Sequence, residues 1–211
     1  MAQKAPGLEP FTTFASVAVP IDIANCDTDQ IIPARFLRRA KSDPEYATFL
    51  LHDLRFNSDG SETDFIYNRA PYRDGQILVA DINWGCGSSR ETAVDALVAN
   101  HIRVVIAPSF GDIHYNNCIR NGVLPVRLPT TSCDQLREQL RTMPGTQITI
   151  NLENQSVTGP DQAHYPFVID AFDRMRLLQG LDDISMTQRH QEAIESFEAA
   201  YRDHNAWAFH Y

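Results

Sequence analysis

Ile77-Leu-Val-Ala-Asp-Ile-Asn-Trp-Gly-Cys-Gly-Ser-Ser-Arg-Glu-Thr-Ala-Val-Asp-Ala-Leu-Val98 decides the fold. The apolar run Ile77–Ile82 has the composition of a buried strand and feeds a loop of small residues, 85–89. A helical pattern follows, with Val94, Leu97 and Val98 at i, i+3 and i+4. Strand, glycine loop and helix start together aim free backbone N–H groups at an anion. Gly85 and Gly87 allow backbone angles that a Cβ would block. Ser88 and Ser89 put two hydroxyls at the helix start, Arg90 adds a planar fork suited to a carboxylate, and Glu91 favours the N-terminal dipole. The plainer reading is a serine N-cap beside an exposed arginine. The loop is not a GxxxxGK[ST] or GxGxxG phosphate loop, nor a GxSxG elbow, because its glycines and serines stand at other offsets.

Downstream, Val104–Ala107 reads as a second buried strand, Phe110–Asn121 as a helix closed by Gly122, and Leu124–Leu128 as a third strand. Strand–helix–strand–helix–strand over 77–128 predicts an α/β fold with a mostly parallel central sheet. A helix over Asp134–Met143, capped by Thr131 or Ser132, presents Leu136, Leu140 and Met143 on one face. Gln147–Leu152 and Gln155–Thr158 form a hairpin pattern, and Phe167–Leu178 and Thr187–Tyr201 two further helices. Ile194, Phe197 and Tyr201 share a face of the last one, suited to core packing or to docking on a partner chain.

Upstream, residues 1–10 read as a tail and Phe11–Val19 as a strand ending at Pro20. In Asn25–Pro33, Asp27 and Asp29 alternate and would share a face of an extended segment; a solvated turn is the plainer reading, a carboxylate holding a catalytic partner or substrate the functional one. Ala34–Arg39 and Glu45–Leu54 look helical, broken near Pro44, and Arg35, Arg38, Arg39 and Lys41 cluster there.

With 211 residues and no internal repeat, one domain over residues 1–211 is expected. The net charge of −9 argues against a nucleic-acid surface, and no apolar run reaches the roughly 20 residues of a membrane span. The N-terminus lacks an apolar export core, which points to a cytoplasmic protein. Cys26, Cys86, Cys118 and Cys133 are widely separated and the histidines form no ligand pair, so no metal is assigned to this chain.

Asn25–Ala34, Asn83–Glu91, Val104–Ile113, Asn121–Val126 and Leu177–Thr187, taken in this order, resemble the small subunits of 3-isopropylmalate dehydratases, in the aconitase superfamily. Segment 41–75 resembles the longer bacterial form, and Cys26 replaces a usual small apolar residue. The resemblance implies a swivelling-domain fold of layered β/β/α type with a C-terminal helical extension. It also implies a separate large subunit carrying a [4Fe–4S] cluster. The implied reaction is dehydration and rehydration of 2-isopropylmalate to 3-isopropylmalate, through an alkene, in leucine biosynthesis. It assigns Ser88 as base and Asp29 as its catalytic companion, with Ser89 and Arg90 on a substrate carboxylate; Arg35, or Arg38, is a further candidate contact. A relative acting on homoaconitate or a methylmalate, and a stand-alone anion-binding module, are the alternatives.

Overall fold

The computed structural model describes residues 8–209. Among the described residues the strands are β1 (Thr13–Ile21), β2 (Ile77–Ala80), β3 (Val104–Ala107), β4 (Leu124–Arg127), β5 (Gln147–Asn151), β6 (Ser156–Thr158) and β7 (His164–Pro166). They form one sheet in the order β4-β3-β2-β1-β5-β6-β7. β1 through β4 pair in parallel, and β5 to β7 extend β1 as antiparallel strands. The fold is thus the expected α/β class, with an antiparallel flank on the parallel core.

β2 shows why this core forms. All four of its residues are buried. Leu78 and Ala80 enter one apolar cluster, Ile77 and Val79 the other, so the strand is covered on both faces. Helix α3 (Glu91–Ala99) covers the first face through Ala93, Val94, Ala96 and Leu97. Helix α5 (Thr130–Thr142) covers the second through Cys133, Leu136 and Leu140. Between them in sequence, α4 (Asp112–Arg120) links β3 to β4 and ends before Gly122, whose φ of +76° suits the left-handed position after a helix.

Several expectations are corrected. β1 runs through Pro20, because β5 stops pairing at Val17 and the missing N–H breaks no bond on that side. Val98 and Met143 face outward, each more than 40% exposed (44% and 42%), so the helix stripes are narrower than the spacing suggests. α5 starts after Pro129 with no side-chain cap from Thr131 or Ser132. Residues 27–31 are not extended: Asp27 caps a short helix, α1 (Thr28–Ile31), by accepting from the Gln30 N–H at 2.8 Å. Beyond Pro33 the helical stretches shrink to 3-10 turns at Ala34–Phe36 and Tyr46–Phe49 and a short α2 (His52–Arg55), with Leu51 left-handed between them. The C-terminal part holds α6 (Ala171–Gln179), α7 (Asp183–Gln188) and α8 (Gln191–His204). The expected single helix over 187–201 is broken at Arg189–His190, and its aromatic stripe is not core: Phe197 is 68% exposed and stacks on Tyr201. Of the expected N-terminal tail, residues 1–7 lie outside the described residues.

Candidate active site

β1 and β2 are parallel neighbours, so their following segments leave the sheet side by side and remain tied. The Asn25 N–H donates to the Ile82 carbonyl at 2.8 Å, Gly85 N–H to the Cys26 carbonyl at 2.7 Å, and Thr28 N–H to the Cys86 carbonyl at 3.0 Å. The loop after β3 joins them: the Trp84 N–H donates to the Ser109 carbonyl at 3.0 Å and the Gly111 N–H to the Trp84 carbonyl at 2.9 Å. Asn25 and Asn83 both take left-handed angles, φ 55° and 63°, which asparagine tolerates better than most residues. Their side-chain amides bond each other at 2.9 Å. Three loops are therefore laced together at the carboxyl ends of the strands, where ligands of open α/β sheets bind.

The lacing carries the glycine loop to the rim of a cavity of about 250 Å³ lined by Thr28, Ser88, Ser89, Arg90 and the start of α4. Ser88 and Ser89 are exposed. The Thr28 hydroxyl donates to the Ser88 carbonyl at 2.7 Å, fixing the backbone that presents the Ser88 hydroxyl. α3 begins only at Glu91, so Arg90 is its N-cap rather than a residue within the helix, and no side chain caps it. The serines therefore precede the helix instead of capping it.

Arg90 turns to Asp29 and bonds it with both arms of the guanidinium, one at 2.8 Å. This pair spans α1 and the glycine loop and offsets the unfavourable placing of a cation at a helix N-terminus. Guanidinium carries five N–H donors, so the pairing leaves donors for a substrate oxygen. Asp29 and Arg90, both named as candidates from the sequence, are thus brought together as an ion pair. Arg35 is placed elsewhere. It pairs with Asp53 beside His52 and Phe56 in a separate cleft, and that cleft shares no residue with the Ser88 cavity. Arg38 is exposed and lines neither.

The sequence reading missed His114, in the first turn of α4. It lies against Gly85, where a Cβ would fall 2.2 Å from the imidazole ring, and Gly85 itself has φ +70°. A glycine at Gly85 is therefore required twice over, for its backbone angle and for the ring beside it. The only sequence signal was a histidine just after Gly111-Asp112, one of seven in the chain.

Cys26, Cys118 and Cys133 are buried, and burial raises all three thiols, Cys26 and Cys133 to about 12. Such thiols resist becoming thiolate ligands. Among the described residues no three His, Cys, Asp or Glu converge into a group that could hold a metal ion.

Residues 8–131 match the family model for the aconitase C-terminal domain, and 134–171 match a second, LeuD_N. The chain is of the aconitase swivelling-domain class. Within that class it is 47% identical to the 3-isopropylmalate dehydratase small subunit of Gluconacetobacter diazotrophicus, over 95% of this chain and 97% of that one. It is 45% identical to the same subunit of Rhodopseudomonas palustris, over 95% of this chain and all of that one. The crystal structure of 3-isopropylmalate dehydratase from Methanocaldococcus jannaschii superposes with a TM-score of 0.62 at 25% identity, covering 88% of this chain and 99% of that one. The chain belongs to the family of 3-isopropylmalate dehydratase small subunits.

Proposed function

We propose that this chain is the small subunit of a heteromeric hydro-lyase that isomerises 2-isopropylmalate to 3-isopropylmalate by dehydration and rehydration in leucine biosynthesis. The observation that carries the reading is the Ser88-Ser89-Arg90 triple at one cavity rim, with Arg90 steadied by Asp29. Moving a proton from carbon beside a carboxylate needs a base and a stabiliser of the growing negative charge. Ser88 takes the part of the base. Arg90 and Ser89 hold a substrate carboxylate and keep the reacting carbon within reach of Ser88.

Departure of the substrate hydroxyl needs a Lewis acid, which the aconitase superfamily supplies as an iron–sulfur cluster. Among the described residues no His, Cys, Asp or Glu set converges to hold that group, and in this reading it resides on the large subunit. The chain acts as one swivelling domain with a helical extension and closes its cavity against that subunit. The partners are the large subunit and a small dicarboxylate, not nucleic acid or membrane, and the working compartment is the cytoplasm. Among the described residues no helix is long and apolar enough to cross a membrane.

The test is reconstitution with the large subunit and assay against 2-isopropylmalate, homoaconitate and methylmalates. Turnover of 2-isopropylmalate well above the others is expected; preference for another malate would reassign the substrate. Purified alone without oxygen, the chain is expected to be inert and to lack stoichiometric iron and labile sulfide. An intact cluster on the isolated chain would overturn the division of labour.

Arg90→Lys keeps the charge and loses the planar fork. It is expected to raise KM, lower kcat or both in the complex. The Asp29 pair is partly exposed and worth only about 1 kcal/mol or less to stability, so the melting temperature should move little. Silent kinetics with a large fall in melting temperature would make Arg90 structural.

A further inference from the structure

His114 is 3% exposed, and neither of its ring nitrogens has a hydrogen-bond partner. An unpartnered buried polar group costs about 1–3 kcal/mol, so a histidine here needs a compensating role. Packing does not supply one, since the ring edge that meets Gly85 is carbon, Cγ and Cδ2, and a phenylalanine ring would fill that place without the loss. His114 does, however, belong to the lining of the same cavity as Ser88, Ser89 and Arg90.

We infer that His114 is a substrate-binding residue of this site, donating a ring N–H to a carboxylate oxygen of the dicarboxylate held at Ser88–Arg90. The inference rests on the functional reading above and adds a contact to it. Burial alone holds the imidazole at about 4, so at neutral pH the ring is uncharged. It therefore acts as a neutral donor with one N–H. His114 stands in the first turn of α4, beside the cavity, and Gly85 gives its ring room. Both ring nitrogens are closed to solvent in the free chain, so the bond forms with a small turn of the ring as the ligand enters and provides the missing acceptor.

His114→Phe in the reconstituted complex separates this role from packing. Expected is a KM for 2-isopropylmalate raised at least tenfold, a smaller change in kcat, and a melting temperature of the isolated chain unchanged or higher. His114→Gln, which returns an amide N–H, should recover part of the KM. A KM within twofold of wild type for His114→Phe overturns the proposal, as does a tenfold rise that His114→Gln leaves wholly unrepaired. Should the phenylalanine variant fail to fold, His114→Gln decides alone: KM within threefold supports the donor, and a larger rise rejects it. Wild-type turnover in the same preparation keeps a failure here distinct from a failure of the functional reading.

Discussion

Ser88→Ala leaves the reconstituted complex with kcat lower by on the order of a thousandfold, while the subunits still assemble. Ser88 is exposed at the cavity rim and its side chain supports no packing, so the substitution should not disturb the fold. Its backbone stays fixed, because Thr28 bonds the Ser88 carbonyl and not its hydroxyl. Loss of rate without loss of assembly is therefore the signature of a group that meets the reacting atoms. Turnover within about tenfold of wild type, near 1.4 kcal/mol in barrier, would remove Ser88 from the role of base. Single-turnover rates and co-elution with the large subunit measure the two sides.

The second large effect is on stability. Gly85→Ala forces a left-handed angle on a residue with a Cβ and drives that Cβ into the His114 ring. The Gly111 segment lies against the same loop, with the Trp84 carbonyl bonded to the Gly111 N–H, so the loop has little freedom to retreat. A loss of about 2–4 kcal/mol is expected from the two costs together. For a chain of this size that corresponds to a fall in melting temperature of roughly 5–15 °C. Calorimetry or thermal circular dichroism would read it. A shift under about 2 °C would mean that the ring and loop move aside easily. The double variant Gly85→Ala, His114→Ala should regain the steric part and leave the backbone part, which is a coupling the double-mutant cycle can measure.

The parallel core was legible because its strands are covered on both faces, which leaves unbroken apolar runs such as Ile77–Ala80 and Val104–Ala107. The antiparallel flank was legible only in part. The hairpin of β5 and β6 showed itself, but β7 has just His164–Pro166, too short and too polar to register. The stretch after Pro33 misled for another reason. Its apolar residues, among them Tyr46, Phe49 and Leu50, are spaced as in a helix, yet the left-handed Leu51 divides the segment. Tertiary packing set that backbone angle, and no local residue announces it.

At the site, Ser88, Ser89, Arg90 and Asp29 are visible as residue types in short motifs, whereas their mutual placing is not. That Asp29 grips Arg90 across 61 positions follows from β1 and β2 being adjacent, which is a property of the sheet. Arg35 shows the converse: it sits near Asp29 in sequence but beside Asp53 and His52 in space. His114 escaped because a lone histidine carries no pattern; only its burial, its empty ring nitrogens and the glycine beneath it distinguish it.

The first strand lies in the middle of the sheet, with β2 on one side and β5 on the other. During synthesis the ribosome releases β1 first, yet its second neighbour is not made until residues 147–151 have been added. Until then a nascent chain carries an open strand edge along Thr13–Val17, a template for pairing with other chains. A fragment ending at residue 131, where the aconitase-type match stops, would keep that edge permanently and should aggregate on expression. The boundary between the two matched families is thus not a place to cut this protein. A circular permutant that joins the existing ends and opens between β4 and α5 would instead deliver β5 before β1, and its yield at elevated temperature would report how much the waiting edge costs the cell.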